Sequence, residues 1–263
     1  MSHYCGIDVG ASAAKLVLID AGGKVVARAL RRSGIAYAET AEACLAEALA
    51  GAGLSRDDVA HTASTGYGRH NIPWANDSST EIACHGRGVF HHFPRALAVI
   101  DIGAQDNKVI HIDASGRRTH FKMNRKCAAG TGAFLEEIAY RMNLDVGELN
   151  RLAERSTKEA SLGSFCTVFA ATEILTRIRD GEKVEDIVKG AFRSVVKRVM
   201  EMDVIEGDLA LSGGVVAHNP LLVKLIGETF GREPLVPPDP QFMGAFGAAL
   251  FALEKSRKEA MPC

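Results

Sequence analysis

The sequence contains no apolar run that approaches the ~20 residues needed to span a bilayer. Its first residues, MSHYCGIDVG, lack the charged and hydrophobic regions of a signal peptide. We therefore expect a cytoplasmic protein that does not act on membranes. Lys and Arg total 31 and Asp and Glu total 32, so no excess of positive charge favours nucleic acid as a partner.

Cysteine pairs with metal-binding or redox spacing are also missing. The chain has six cysteines and no CxxC motif. In a reducing cytosol this pattern argues against a disulfide framework. We expect most cysteines to be small buried side chains without a chemical role, namely Cys5, Cys44, Cys84 and Cys263.

What the chain does contain is an internal repeat. Ile7–Gly23 and Ile100–Gly116 are identical at nine of 17 positions, at a constant offset of 93 residues. Each copy reads as an apolar strand, a carboxylate, a glycine turn, a second apolar strand and an Asp–Gly-type turn. This pattern predicts a β-hairpin that the chain supplies twice.

Two such hairpins suit the phosphates of a nucleotide. Gly10 and Gly103 allow positive φ and close approach of the backbone, so we expect neighbouring N–H groups to point at an anion. Asp8 and Asp101 would bind Mg²⁺, or one of them would orient the attacking water. Further candidates in the two turns are Ser12, Lys15, Ala104, Gln105 and Asp106. The alternative is two ordinary hairpins with solvated lysines, in which Asp serves turn chemistry alone.

The rest of the chain predicts alternating strands and helices. Predicted strands are Lys24–Arg31, His61–Thr65, Leu97–Ile102, Arg117–Asn124 and Asp208–Ser212. Predicted helices are Thr40–Ala52 with Thr40 as its N-cap, Glu81–Phe90, Ala133–Asn143, Val146–Arg155, Val168–Arg179, Val184–Met202, Asn219–Phe230 and Met243–Lys255.

Together these elements predict an α/β fold of two lobes with a nucleotide cleft between them. The architecture resembles the actin, Hsp70 and sugar-kinase superfamily, whose two ribonuclease-H-like lobes close over ATP. We expect residues 1–95 and the C-terminal helix 243–263 to form the first lobe, and residues 96–242 the second. Gly213 and Gly214, after Ser212, resemble that superfamily's adenosine motif.

Two cysteines precede predicted helices. Cys127 opens the segment CAAGTG, and Cys166 directly precedes Thr167, so both thiols would lie near the positive ends of helix dipoles. Four thiolates hold a cubane iron–sulfur cluster, and a twofold homodimer would bring four together. The other interpretations are two structural cysteines or half of an intersubunit zinc site. In the same CAAGTG segment, the residues that would contact nucleotide are Gly130, Thr131 and Gly132.

Both following helices carry an apolar face. In the first helix, the side chains that we expect to be buried are Phe134, Leu135, Ile138, Ala139 and Met142. In the second helix, the corresponding face carries Val168, Phe169, Ile174, Leu175 and Ile178.

Four motifs are similar to one family of ATPases. They are CAAGTGAFLEEIA around Cys127, FCTVFA around Cys166, DVGxxxxK at Asp8–Lys15 and SGG at Ser212–Gly214. They resemble the BadF/BadG/BcrA/BcrD family of 2-hydroxyacyl-CoA dehydratase activators and benzoyl-CoA reductase ATPase subunits. The resemblance implies ATP hydrolysis that uses Mg²⁺. It also implies that Asp8 and Asp101 are the metal and hydrolysis carboxylates.

The same resemblance implies a redox role. Cys127 and Cys166 would ligate one [4Fe–4S] cluster per homodimer, or per heterodimer with a paralogue. A ferredoxin or flavodoxin would donate an electron, which would pass to acyl-CoA dehydratase or reductase subunits. The chain departs from the family at Ala11, where Ser or Thr is usual, and at Ala104, where the activators often have a second glycine.

Two further segments also look familial, Thr65–Arg69 (TGYGR) and Glu81–Gly88, but the sequence assigns them no chemistry. Two other functions compete with the activator. One is a small-molecule kinase of the sugar type without a redox role, and the other is a nucleotide-gated scaffold. No acceptor-binding motif or separate client-binding domain is visible in the sequence.

Overall fold

A computed structural model describes residues 2–158, 160, 162 and 166–259. The strands are β1 His3–Val9, β2 Ala13–Ile19, β3 Val25–Arg32, β4 Val59–Thr65, β5 Asp77–Ser78, β6 Leu97–Ile102, β7 Asn107–Ile112, β8 Arg118–Asn124 and β9 Asp208–Ser212. The helices are α1 Tyr37–Ala52, α2 Glu81–His92, α3 Gly132–Arg141, α4 Leu149–Glu154, α5 Thr167–Arg179, α6 Val184–Met200, α7 Gly214–His218, α8 Pro220–Phe230 and α9 Met243–Glu259.

The chain forms two compact units. The first comprises the described residues within Met1–Ala96, Ile112–Thr119 and Phe242–Cys263, and the second those within Leu97–His111 and His120–Gln241. The lobe boundaries expected from the sequence, residues 1–95 with 243–263 and residues 96–242, stay a prediction.

The first unit is built on a five-stranded sheet in the order β3-β2-β1-β4-β5. Strand β1 pairs antiparallel with β2 and parallel with β4, which places Asp8 opposite Lys15 on one side and Thr65 on the other. Helix α9 packs directly on β1, because Gly6 has no side chain to hold the helix backbone away. Strand β1 is therefore fixed from both edges and from one face.

The second unit contains a four-stranded sheet in the order β8-β7-β6-β9. Strand β6 is buried at all six residues and pairs parallel with β9, with Asp101 opposite Ser212. Apolar residues of α3, α4, α5, α6 and α8 form the core beside this sheet, and Phe134 and Phe192 are its largest fully buried side chains. Across the described residues, no helix has both the length and the apolar character to cross a membrane.

Most predicted elements are confirmed. Both β6 and β9 have the predicted bounds, and α8 begins at Pro220 as expected. The prediction of Thr40 as an N-cap is wrong, because α1 starts at Tyr37 and the Thr40 hydroxyl donates to the carbonyl of Ser33. The predicted helix over Val146–Arg155 is a 3-10 turn followed by α4. Helix α7 was not predicted.

Candidate functional site

The first hairpin turn lies between β1 and β2. The Gly10 N–H donates to Ala13 O over 3.1 Å, and the hydroxyl of Ser33 donates to Gly10 O over 2.6 Å. Ser12 is exposed in this turn. The turn is thus tied to the end of β3, and the hydroxyl of Ser12 is available to a ligand.

Asp8 lies at the end of β1 in a closely built pocket. It is 5% exposed, and Lys15 Nζ lies 3.6 Å from its Oδ2. Lys15 is mostly buried and reaches back towards Gly10, where a Cβ would lie 3.3 Å from the same ammonium. Lys15 is therefore not a solvated surface lysine, and Asp8 takes no part in the turn.

The second hairpin repeats this arrangement in the other unit. Asp101 is 2% exposed, and Lys108 Nζ lies 3.2 Å from its Oδ2 and 2.7 Å from Asp106 Oδ1. The Ser212 hydroxyl donates to Asp101 Oδ1 over 3.1 Å. Gln105 is exposed at the turn. Sequence reasoning did not single out Ser212 as a partner of the carboxylate.

The duplication extends beyond the hairpins. In each unit the carboxylate strand pairs with a parallel strand that ends in a hydroxyl residue and a glycine: Thr65–Gly66 beside Asp8, and Ser212–Gly213 beside Asp101. A Cβ at Gly66 would lie 2.5 Å from Asp8 Oδ1, and one at Gly213 would lie 2.8 Å from Asp101 Oδ1. The unassigned TGYGR segment is therefore the structural counterpart of SGG.

The glycines around the two carboxylates differ in their backbone φ angles. Positive φ occurs at Gly66 (91°) and Gly213 (103°), whereas Gly10 and Gly103 are absent from the positive-φ residues of the described chain. Gly10 and Gly103 therefore do not use the positive φ that glycine allows. At Gly103 the requirement is close approach instead, because a Cβ there would lie 2.8 Å from Asp106 O. Gly214 follows Gly213 as the first residue of α7.

The segment after Cys127 is anchored to the second hairpin. The N–H groups of Gly132 and Ala133 donate to the carbonyls of Gly103 and Ala104 over 2.9 and 2.8 Å. Thr131 is fully buried, and its hydroxyl donates to Ala128 O. The first amides of α3 are thus occupied by the hairpin turn, and any shift of this turn would move the start of α3.

Gly130 completes this anchor. It has φ of 81°, and the buried Asn107 side chain donates to its carbonyl over 2.7 Å. Asn107 belongs to β7, directly after the hairpin turn. The Gly103–Ala104 turn and Asn107 of β7 therefore both fix the loop that links Cys127 to α3.

Cys127 and Cys166 differ from the other described cysteines. Cys127 is exposed, five residues before α3, and Cys166 is partly exposed as the N-cap residue of α5. By contrast, burial raises the pKa of Cys5 and Cys84 to about 12 and that of Cys44 to about 11. These three are inert thiols at neutral pH, as expected. Cys263 lies outside the described residues.

Helix α5 carries an unexpected exposed apolar face. Val168 is 71% exposed and Phe169 68% exposed, and Leu175 and Ile178 are also exposed; only Ile174 of the predicted face is buried. Four of the five residues of the predicted apolar face are therefore exposed. On α3, by contrast, four of the five predicted residues are buried and Met142 is partly buried.

No group of three or more His, Cys, Asp or Glu side chains in the described ranges is arranged to hold a metal ion. Cys127 and Cys166 supply two thiols, and a cubane cluster is held by four. A cluster on these two residues would therefore require ligands from a second chain.

The duplicated fold defines the class of protein. A glucokinase of the ROK family from Streptomyces griseus matches with a TM-score of 0.58 over 96% of this chain and all of that chain, at 14% identity, which shows the fold alone. The chain thus shares its two-unit α/β fold with a sugar kinase, and the fold class is as predicted.

The chain belongs to the BadF/BadG/BcrA/BcrD ATPase family, whose model matches residues 5–252. It is 39% identical to the (R)-2-hydroxyglutaryl-CoA dehydratase activating ATPase of Acidaminococcus fermentans, over 98% of this chain and all of that protein. It is 30% identical to one of the subunits of benzoyl-CoA reductase from Thauera aromatica, over 99% of this chain and 96% of that protein.

A solved structure is similar throughout. The activator of 2-hydroxyisocaproyl-CoA dehydratase from Clostridium difficile, with bound ADPNP, matches with a TM-score of 0.92 and 37% identity over 99% of both chains. The family resemblance noted from the motifs is confirmed, and this chain is accordingly an ATPase of that family.

Proposed function

We propose that this protein is an ATP-hydrolysing iron–sulfur activator that delivers a low-potential electron to a 2-hydroxyacyl-CoA dehydratase or a benzoyl-CoA reductase-type partner. Family membership and the activator relatives support this function. The observation that supports it most strongly is that one chain contains both two buried Asp–Lys sites and two accessible cysteines. A sugar-type kinase would share the fold and leave the cysteines without a role.

The nucleotide chemistry is assigned to the two hairpins. Asp8 and Asp101 are the proposed metal and hydrolysis carboxylates, since hard oxygen donors suit Mg²⁺. Lys15 and Lys108 lie beside these carboxylates and balance their charge. Contacts to ATP are proposed for the two turns, the loop before α3 and the start of α7, through Gly10, Ser12, Lys15, Gly103, Ala104, Gln105, Gly130, Thr131, Gly132, Gly213 and Gly214.

The redox chemistry is assigned to a dimer. Cys127 and Cys166 of two chains would hold one [4Fe–4S] cluster, which stores and passes a single electron. The exposed Val168 and Phe169, two and three residues after Cys166, support a second chain at this surface, because burying large apolar side chains stabilises association. The partner chain is a second copy or a paralogue.

Coupling is assigned to the anchor between the hairpin and α3. Hydrogen bonds from Gly132 and Ala133 to the Gly103–Ala104 turn join the proposed phosphate contacts to the segment that bears Cys127. ATP and ADP would have to bind two arrangements of this anchor with different affinity in order to shift it. A ferredoxin or flavodoxin is the proposed electron donor.

The test is iron binding and ATP turnover in anaerobically purified variants. Cys127→Ala and Cys166→Ala should each abolish iron binding and weaken the dimer, with the monomer still folded by circular dichroism. Cys44→Ala is the matched control, because Cys44 is buried and should leave iron content unchanged. Full iron content in Cys127→Ala would refute the ligand assignment, and a colourless wild-type protein that phosphorylates a sugar would refute the function.

A further inference from the structure

Two asparagine side chains hold the loop that carries Cys127. The Asn124 amide donates to Cys127 O over 2.9 Å, and the Asn107 amide donates to Gly130 O over 2.7 Å. Asn107 is the first residue of β7 and Asn124 the last residue of β8. Since β7 and β8 are hydrogen-bonded neighbours joined by residues 113–117, both asparagines lie at the same end of the sheet in the second unit.

The loop between these two bonds is also closed on itself. The Thr131 hydroxyl and N–H both donate to Ala128 O, over 2.7 and 3.0 Å. Three of the four carbonyl groups from Cys127 to Gly130 therefore accept a hydrogen bond from a side chain. Surface loops are usually mobile and leave such groups to water. This loop is thus held more firmly than the exposed position of Cys127 requires.

The Asn107 side chain is only half satisfied. It is fully buried, and within the described part of the chain its Oδ1 has no hydrogen-bond partner. A buried acceptor without a partner is costly, and an apolar side chain would avoid that cost. The bond from the Asn107 amide to Gly130 O is therefore the contribution that an apolar residue could not make, and it acts on the Cys127 loop.

The same strand joins the loop to the proposed phosphate contacts. Asn107 comes three residues after the Gly103–Ala104 turn, to which contacts with ATP are assigned above. A shift of this hairpin on nucleotide binding would therefore move the loop at its Gly130 end. At the other end, Asn124 holds the backbone of Cys127 itself.

We propose that Asn107 and Asn124 are positioning residues for Cys127, which fix the loop so that its thiol is held ready for the second chain, and that Asn107 transmits movement of the hairpin to this loop. The inference rests on the proposed function, since it takes Cys127 as a cluster ligand. A ligand whose backbone is fixed in advance loses less conformational freedom when the cluster binds. Both asparagines act through the backbone of the loop.

The first test measures amide hydrogen exchange in reduced, metal-free protein. Asn107→Ala and Asn124→Asp each remove one donor, so exchange at the hydrogen-bonded amides of residues 131–133 should become about 2–10-fold faster, the factor that corresponds to one hydrogen bond. Asn219→Ala is the matched control, because Asn219 is also buried and its amide donates to Val215 O over 2.8 Å. It should leave these amides unchanged. Unchanged exchange in Asn107→Ala or in Asn124→Asp would overturn the proposal.

A second readout separates positioning from general stability. In wild type, exchange at the same amides should differ between the ADP-bound and the ADPNP-bound protein, and Asn107→Ala should lose most of this difference while its affinity for ADPNP is unchanged. Asn219→Ala should keep the difference. A full nucleotide response in Asn107→Ala would refute this inference alone. No difference in wild type would refute the coupling assigned to the anchor, and this inference with it, whereas full iron content in Cys127→Ala would refute the ligand assignment.

Discussion

Replacement of Gly66 by alanine should destabilise the protein and lower ATP turnover. Gly66 has φ of 91°, and a Cβ there would lie 2.5 Å from Asp8 Oδ1 and from Val9 O. A left-handed backbone costs an L residue about 1–2 kcal/mol, and extra volume in a packed site adds about 1–3 kcal/mol. We expect Gly66→Ala to lower the free energy of unfolding by about 2–5 kcal/mol.

Gly53→Ala separates backbone strain from the clash. Gly53 has φ of 66° after α1, and no described atom outside its chain neighbours would lie within 4 Å of a Cβ placed there. It should cost about 1–2 kcal/mol and leave ATP hydrolysis unchanged. Both variants are compared by urea unfolding and by ATP turnover. Equal stability losses and equal turnover would refute the account of the Asp8 pocket.

Two further predictions concern the surface around the cysteines. Phe169→Asp should convert the proposed dimer to monomers in analytical ultracentrifugation, whereas Val204→Asp, at a residue 75% exposed, should not; a dimeric Phe169→Asp would remove α5 from the interface. In reduced, metal-free protein at pH 8, iodoacetamide should modify Cys127 within minutes and spare Cys44, whose buried thiol has its pKa raised to about 11. Equal labelling in peptide mapping would contradict the burial account.

The parts of the fold that local patterns encode were predictable. Strand β6 is an apolar run interrupted only by Asp101, so its bounds follow from composition. The hairpin repeat likewise made the two Asp–Lys pairs recognisable in the sequence. The start of α1 was not predictable from capping residues, because the Thr40 hydroxyl finds its acceptor at Ser33, seven residues earlier and outside the helix.

The pocket around Asp8 depends on contacts between distant parts of the chain. Gly66 and Gly244 both lie against the carboxylate of this residue near the N-terminus, and no local pattern reports such convergence. The exposed face of α5 was missed for a related reason. Apolar spacing marks a face that avoids water, but it does not say whether that face packs within the chain or against another.

The most direct test of the central claim is native mass spectrometry of the anaerobically purified protein. Our account predicts a species of two chains with four iron and four sulfide, and its loss in Cys166→Ala. A single chain that carries its own complete cluster, or an iron-free wild-type dimer with full activating function, would contradict it.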